Sequence, residues 1–448
     1  MTHSKDNDPV ITPVTWRRQA RKLDRTTTDL LNVVGWYGST HAAAMWRKDY
    51  EFLQVFKQSG IVGFDPQVDD WDPGYASTEA AVLAKASVVV IRLENNELLN
   101  GSLGSIAEIG IALASAALRG QIVIVSIEDD LVTTLDEPGA IAQYMMLELS
   151  LEQLDQIPEL TRFLQIHRGN DLRELAHMSC RAVEQQKTGC IERLEFDAFL
   201  AKKTRRSHNF PLRVLVGGSG GAYADIHEES FLNKRDILIR DYCEEGQAVK
   251  ILSEGAIAEA WKVPYGSIDD IGVGLAMRTL LAIETEFKQE ADVLLLPIMA
   301  EAASKAACSE IGFLLFHALS TGQDIRVFLE PFDPVDYLRH QFNDVDFEVV
   351  TTQKLRRLAL REAGVADEIL AKAVEEEVLE AFGVFQALKQ GEAPTYLEIR
   401  RSILGSTEVF HKADNIRRVR TLVQAHLESL AASKRFSNFF HYSSRIKV

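Results

Sequence analysis

The chain has 448 residues, of which 46% are hydrophobic and 25% charged, as in an ordinary soluble globular protein with roughly two to four domains. Its formal net charge of −16 argues against a nucleic-acid polymer or an anionic membrane as the main partner. The four cysteines show no CxxC or Cys/His metal spacing, and the N-terminus has no apolar signal core. No apolar run approaches the ~18 residues of a membrane-spanning helix. We therefore expect a soluble cytoplasmic protein without a disulfide framework.

One stretch of the sequence occurs twice. Residues 108–130 read EIGIALASAALRGQIVIVSIEDD, and residues 310–332 read EIGFLLFHALSTGQDIRVFLEPF. The Glu, Ile, Gly, Leu, Ala, Gly, Gln, Val and Glu coincide without a gap. This agreement indicates an internal duplication.

Strand and helix patterns alternate around each copy, which predicts parallel sheets with helices on both faces. Before and within the first copy we predict a strand that runs into a turn over residues 32–40, further strands at 61–64, 87–93 and 122–127, and helices between them at 41–59, 77–85 and 105–119. Around the second copy we predict strands at 213–216, 249–252, 293–297 and 325–329. The predicted fold is α/β, with two tandem doubly wound units of Rossmann or flavodoxin type and helical extensions.

These patterns also predict the domain organisation. The segments are a polar leader (1–31), a first α/β domain (32–138), a helical extension and linker (139–210), a second α/β domain (211–332) and a C-terminal helical region (333–448). Within the extension, Gly169-Asn170-Asp171 predicts a break between helices.

Two glutamates recur at corresponding places. Glu79 lies eight residues before Ser87, which opens a predicted strand, and Glu284 lies eight before Asp292 in the second unit. The glutamate of the repeated string opens the helix that follows the same strand. Such positions share the crevice where these folds bind ligands, and a pair of acids suits nucleophilic attack combined with protonation. A Glu in the first turn of a helix is also a common capping or dipole residue, and a duplication would copy a structural Glu as well.

Several motifs occur in an order that resembles the nucleoside 2-deoxyribosyltransferases. They are the strand and loop VVGWYGST (33–40), Trp46-Arg47, the loop DPQVDDWD (65–72), Glu79, and GSLGSIAEIG (101–110). The resemblance covers about residues 32–130, and more weakly about 211–332. There the turn GGSGG (217–221) also resembles the related deoxynucleoside-monophosphate N-glycosidases.

The resemblance implies roles for individual residues. Glu108, and in the second unit Glu310, would attack C1′ of a 2-deoxyribosyl group and form a covalent glycosyl-enzyme. Glu79 and Glu284 would meet the nucleobase, and Tyr37 would orient the nucleophile. Substrate contacts are expected in the two loops, from Asp70, Trp71, Asn100 and Ser102. The chain departs from the family pattern at Ser102 and Ser304, where many transferases carry an Asp.

Several other candidate binding residues have two interpretations each. Gly218 and Ser219 in GGSGG are candidates to bind a phosphate through main-chain N–H groups, although a tight turn without ligand fits equally well. Trp36, Trp46 and Trp261 are candidates to stack on a base, but aromatic residues in α/β units more often belong to the core. Asp69, Asp70 and Asp72 match no cation loop, so we expect no metal.

The leading hypothesis is therefore an enzyme that cleaves or transfers an N-glycosidic bond of a (deoxy)nucleoside or nucleotide, without a cofactor. One alternative is a catalytically silent protein that binds or senses nucleotides. Another is a scaffold of two packed units. By analogy with the family, the two units would face each other and lend residues across their junction, and a homo-oligomer is a further expectation.

Overall fold

Two parallel β-sheets form the framework of the protein. The computed structural model describes residues 9–20, 23, 30–38, 45–68, 73–94, 103–129, 147–148, 151, 163–188, 212–217, 249–253, 287–298, 308, 311–312, 314–315, 318, 323–331, 408–432 and 440–444. The strands are Val10–Ile11 (β1), Leu31–Tyr37 (β2), Val62–Phe64 (β3), Ala86–Leu93 (β4), Ile122–Ile127 (β5), Leu164–Arg168 (β6), Leu212–Val216 (β7), Val249–Ser253 (β8), Val293–Ile298 (β9), Asp324–Leu329 (β10) and Phe440–Ser443 (β11). The helices are Pro13–Gln19 (α1), Tyr50–Ser59 (α2), Pro73–Lys85 (α3), Leu103–Arg119 (α4), Leu172–Lys187 (α5) and Glu408–Ala431 (α6), and Met45–Lys48 forms a 3₁₀ turn.

The two sheets share one strand order. The first sheet runs β1-β3-β2-β4-β5-β6 and the second runs β11-β10-β9-β7-β8. All the pairings are parallel. Numbered within each unit from β2 and from β7, both orders are 2-1-3-4-5, which is the flavodoxin-like arrangement. The predicted α/β class with two tandem doubly wound units is therefore confirmed.

The central strand β4 is buried on both faces, as a doubly wound sheet requires. Val89, Ile91 and Leu93 belong to one apolar cluster, and Val88 and Val90 belong to another on the opposite side. The continuous run SVVVIRL reflects this two-sided burial. A strand with one solvated face would instead alternate apolar and polar residues.

The repeated glutamine has the same role in both units. Gln121 donates from Nε2 to the carbonyls of Leu83 (2.6 Å) and Ala86 (2.7 Å). Gln323 donates from Nε2 to the carbonyls of Lys288 (2.5 Å) and Ala291 (2.6 Å). In both units these carbonyls lie where a helix ends and the central strand begins, and the side-chain amide satisfies acceptors that the helix leaves open. The duplication in sequence is thus a duplication in structure.

Three segments differ from the predicted elements. Residues 164–168 form β6 at the edge of the first sheet, within a segment predicted to be helical. Residues 440–443 form β11 in the second sheet, within the predicted C-terminal helical region. Residues 10–11 of the polar leader pair with β3. These strands are short, and periodicity alone does not separate a short buried strand from a piece of buried helix.

The starts of three helices also differ. The segment predicted as one helix from 41 to 59 is, where described, a 3₁₀ turn followed by α2, which Asp49 caps by accepting from the Phe52 N–H at 2.9 Å. Helix α3 begins at Pro73 instead of 77. Helix α4 begins at Leu103 instead of 105. The predicted end of the 41–59 helix is confirmed, because α2 ends at Ser59 and Gly60 then adopts a left-handed conformation with φ 68°.

The two units meet through the repeated motif. A Cβ on Gly110 would overlap the main chain of Gly312, the same glycine of the second copy. The next residue, Ile111, packs into the apolar cluster of the second unit. Helix α6 contributes Val419, Val423, Leu427 and Leu430 to that cluster and also packs against α3 and α4. No helix in the described part of the chain is both long and apolar enough to cross a membrane.

Candidate functional site

The candidate site lies where β2 and β4 end side by side, which is the point at which the strand order reverses. Gly38 follows β2 with φ 94°, and a Cβ there would overlap the main chain of Arg92 in β4. Only glycine tolerates both conditions without strain. In open α/β sheets, ligands bind at the carboxyl ends of the strands at such a switch point.

Tyr37 closes β2 and is fully buried. Its hydroxyl donates to the main-chain carbonyl of Glu79 at 2.8 Å. Burial raises its pKa well above the usual value, and the negative charges of Glu79 and Glu108 raise it further. Tyr37 therefore lies in the electrostatic field of both predicted acids and stays protonated. The orientation of Glu108 by Tyr37 stays a prediction, because the Tyr37 hydroxyl donates to the main-chain carbonyl of Glu79.

Arg47 lies beneath the same strand ends, with only 4% of its surface exposed. It forms an ion pair with Asp65 at 3.4 Å, donates to the Gly38 carbonyl, and lies 5.4 Å from the centre of the Trp46 ring. Burial lowers the pKa of its guanidinium, while Asp65, Glu108, Glu79 and Glu94 act in the opposite direction, largest first. Arg47 is thus a positive charge shared by several carboxylates.

Glu79 and Glu108 are buried, with 3% and 5% of their surface exposed. Glu79 lies in the middle of α3, the helix before β4, and Glu108 is the sixth residue of α4, the helix after it. Because Glu108 lies beyond the first turn of α4, the capping and dipole interpretation of this glutamate is wrong. Both acids act on Tyr37 and Arg47. The two helices thus bring both acids to the switch point.

A second polar cluster extends across the ends of β4, β5 and β6. Arg92 donates to Glu94 at 3.2 Å, to the Ser126 hydroxyl at 2.9 Å and to the Gly169 carbonyl at 3.2 Å. Ser126 lies 3.0 Å from Nδ1 of His167. Burial raises the pKa of Glu94, and the positive charge of Arg92 offsets part of that shift. Burial also lowers the pKa of His167.

Most of the other predicted site residues lie outside the described part of the chain. They are Asp70, Trp71, Asn100, Ser102, Gly218, Ser219, Glu284 and Glu310, together with Asp69, Asp72, Trp261 and Ser304. The core interpretation of Trp36 and Trp46 is confirmed: both are buried, and both rings make edge contacts with Phe52, at 5.1 Å and 5.3 Å between centroids. These two tryptophans are therefore core residues and do not stack on a ligand.

Four charged or titratable residues of the site were not predicted: Arg92, Glu94, His167 and His426. Arg92 and Glu94 had a signal in the sequence, because an Arg inside an apolar strand pattern is rarely buried without a partner. His426 had none. It lies on α6, more than 300 residues after Glu108 in the chain, yet its Nε2 is 3.9 Å from Oε1 of Glu108. Only the packing of α6 across the junction brings this histidine to the site.

The arrangement combines two buried carboxyl groups, two guanidinium groups and a protonated phenol at a ligand-binding edge. Two buried acids beside a protonated phenol are the kind of arrangement that can combine nucleophilic attack with protonation. No group of three or more metal-ligating side chains occurs in the described part of the chain. Comparisons with protein-family models, with curated proteins and with solved structures found no match to this chain.

Proposed function

We propose that the protein cleaves or transfers the N-glycosidic bond of a (deoxy)nucleoside or nucleotide, with Glu108 as the nucleophile. One observation carries the proposal. Glu79 and Glu108 come from the helices that precede and follow β4 in the chain and pack on the same face of the sheet, and the charges of both act on Tyr37 and Arg47. Ligand sites of this fold lie at that edge, and the order of sequence motifs resembles a family that performs this reaction there.

The proposed reaction has two steps. In the first, a carboxylate oxygen of Glu108 forms a bond to C1′ of the sugar while the bond from C1′ to the base nitrogen breaks. The base nitrogen keeps the bonding electrons and receives a proton from the carboxyl group of Glu79, which becomes a carboxylate. In the second step, water or the N–H group of another base attacks C1′ and gives its proton back to Glu79, and Glu108 leaves as a carboxylate. Water gives hydrolysis, and a second base gives transfer.

Release of free base from deoxynucleosides and their 5′-monophosphates, followed by chromatography, tests this proposal. We expect Glu108→Gln to lower the rate at least about 10³-fold, because removal of a nucleophile leaves only binding and electrostatic effects. Glu51→Gln is the matched control, since Glu51 is exposed in the first turn of α2. Equal rates in wild type and Glu108→Gln would contradict the assignment. Adding a second base separates the transferase from the hydrolase.

A silent nucleotide-binding protein is the second candidate, and the burial of the site favours it. Glu108 is covered by α6, and Arg47 is already paired with Asp65. Isothermal titration calorimetry with nucleosides and nucleotides, combined with the base-release assay, distinguishes the two. Saturable binding without base release from any substrate supports the binding protein. Release that depends on Glu108 supports the enzyme.

A further inference from the structure

Helix α6 has two buried faces that serve different units. Val419, Val423, Leu427 and Leu430 follow the helical spacing of three and four residues and pack into the core of the second unit. Leu422, His426 and Ser429 follow the same spacing on a different face. Ser429 accepts from Arg119 of α4 through its carbonyl and its hydroxyl, both at 3.3 Å. The second face is therefore directed at the helix that carries Glu108.

His426 is a buried polar residue with unmet hydrogen-bonding capacity. It is 1% exposed, and neither ring nitrogen has a hydrogen-bond partner among the residues that the structure describes. Burial of an unsatisfied polar group lowers the stability of the folded protein. The 3.9 Å from Nε2 to Oε1 of Glu108 is too long for a direct hydrogen bond but is within reach of one after a small movement. A buried imidazole beside a buried carboxyl group therefore needs a hydrogen-bonding partner that satisfies both groups.

The position of His426 is held by the second unit. Arg420, one and a half turns earlier on α6, donates to the Ile298 carbonyl at 3.2 Å and to the Glu330 carbonyl. Those carbonyls lie at the ends of β9 and β10. Arg420 is 2% exposed, so this attachment is buried as well. The second unit thereby fixes the helix that brings an imidazole to the site of the first.

We propose that His426 is a positioning residue for Glu108, supplied by the second half of the chain. When ligand fills the site, Nε2–H of His426 donates to one oxygen of the Glu108 carboxylate and leaves the other oxygen directed at C1′. The same hydrogen bond stabilises the negative charge that returns to Glu108 when the glycosyl ester breaks. This role rests on the proposed function, because it assumes that Glu108 is the nucleophile.

The first test does not depend on activity. The ¹⁵N signals of the histidine rings report the environment of each nitrogen, and the His426 signals are those missing from His426→Gln. Because Nε2 of His426 lies 3.9 Å from the Glu108 carboxyl group even without ligand, we expect Glu108→Gln to shift the Nε2 signal of His426. Glu428→Gln, an exposed change two residues away on α6, should leave it in place. An Nε2 signal that is identical in wild type and Glu108→Gln would overturn the proposal.

The second test separates positioning from simple packing. Since a hydrogen bond to a charged group contributes about 1.5–3 kcal/mol, His426→Phe should lower kcat roughly 10- to 100-fold and leave KM nearly unchanged. His426→Gln keeps a donor at similar reach and should recover part of kcat, whereas His426→Asn should not. Glu428→Gln, at an exposed position of α6, is the matched control with unchanged kcat.

The outcomes distinguish this inference from the function on which it rests. Wild-type kcat in His426→Phe, or equal losses in the Phe, Gln and Asn variants, overturns the positioning role while base release through Glu108 stands. Absence of base release from the wild-type protein removes the proposed function, and with it the catalytic role of His426. In that case the ring signals still report whether the two side chains interact.

Discussion

At the scale of single residues, comparison of the two copies of the repeat shows which of their identical residues have a structural role. The repeated glutamine binds the same pair of main-chain carbonyls in both units. The repeated glycine provides the contact between the copies. The glutamine and glycine of the motif are therefore structural, whereas Glu108 lies beyond the first turn of α4 and does not cap that helix.

The glutamine assignment predicts a loss of stability. We expect Gln121→Ala to lower the free energy of unfolding by about 2–3 kcal/mol, because two buried carbonyls lose their donor. Gln185→Ala is the control, since Gln185 is exposed and should cost less than about 0.5 kcal/mol. Urea unfolding followed by tryptophan fluorescence measures both variants. Equal midpoints for the two would contradict the structural role of Gln121.

The burial of Tyr37 predicts a dependence of stability on pH. The folded protein holds the Tyr37 proton to a higher pH than the unfolded chain does. Stability from this group is therefore full below about pH 10 and falls as the unfolded chain ionises above it. We expect Tyr37→Phe to cost about 1 kcal/mol near pH 8, through loss of the bond to Glu79, and less near pH 11.

Urea unfolding at both pH values measures this change, with Tyr50→Phe as its control. Tyr50 is 74% exposed and should show no difference from wild type at either pH. If the stability difference between wild type and Tyr37→Phe stays constant up to about pH 11, Tyr37 ionises alike in the folded and the unfolded chain.

At the scale of elements, the two units are in contact where the repeated glycines, Gly110 and Gly312, meet. Small residues let helix backbones touch, and here each copy of the motif supplies one. Because the same residue meets itself, the contact has the form of a two-fold interface between duplicated units. The expectation that the two units face each other and lend residues across their junction stays a prediction.

Whether a Gly→Ala substitution at this contact raises or lowers the stability of the protein tests the contact. In an exposed helix, Gly→Ala stabilises by roughly 0.5–1 kcal/mol. At Gly110 we expect Ala to destabilise instead, because its Cβ overlaps the Gly312 main chain and forces the two helices apart. Gly312→Ala should act in the same direction. Thermal unfolding of both variants measures the effect, and a raised melting temperature in either would contradict the helix contact.

At the scale of the whole molecule, α6 and the glycine contact join two sheets that each have their own core. Ile111 of the first repeat packs in the second core, and Arg119 binds Ser429 of α6. Burial lowers the pKa of Arg119 to about 10, which reflects how far this link is removed from water. Shared buried surface of this kind couples the stability of the two units.

We therefore expect both units to unfold in one transition. Four of the five tryptophans lie in the first 71 residues, so fluorescence follows the first unit, while far-ultraviolet circular dichroism follows the whole chain. The two urea curves should coincide. Arg119→Ala should separate them by removing the link to α6, whereas Arg173→Ala, at an exposed position of α5, should not. Separate transitions in the wild type would contradict the coupling.

Local pattern accounts for most of the fold and part of the site. Some features were predicted because they follow from the type and spacing of neighbouring residues. They are the β-branched run of β4, the end of a helix before Gly60, and the break at 169–171. The short strands β1, β6 and β11 were missed because only their partners in the sheet make them strands. Glu79, Glu108 and Tyr37 were found because the order of motifs marks them, whereas Arg92 was passed over inside an apolar run.

By itself the sequence determined the duplication, the parallel α/β class and the candidate acids, because repetition and period are properties of neighbouring residues. Only the tertiary structure decided how the two halves meet and which distant residue reaches the site. The contact between Gly110 and Gly312, and the approach of His426 to Glu108, depend on the packing of helices that are far apart in the chain. Such packing leaves no periodic signal, since it is the shape of two completed units that brings these residues together.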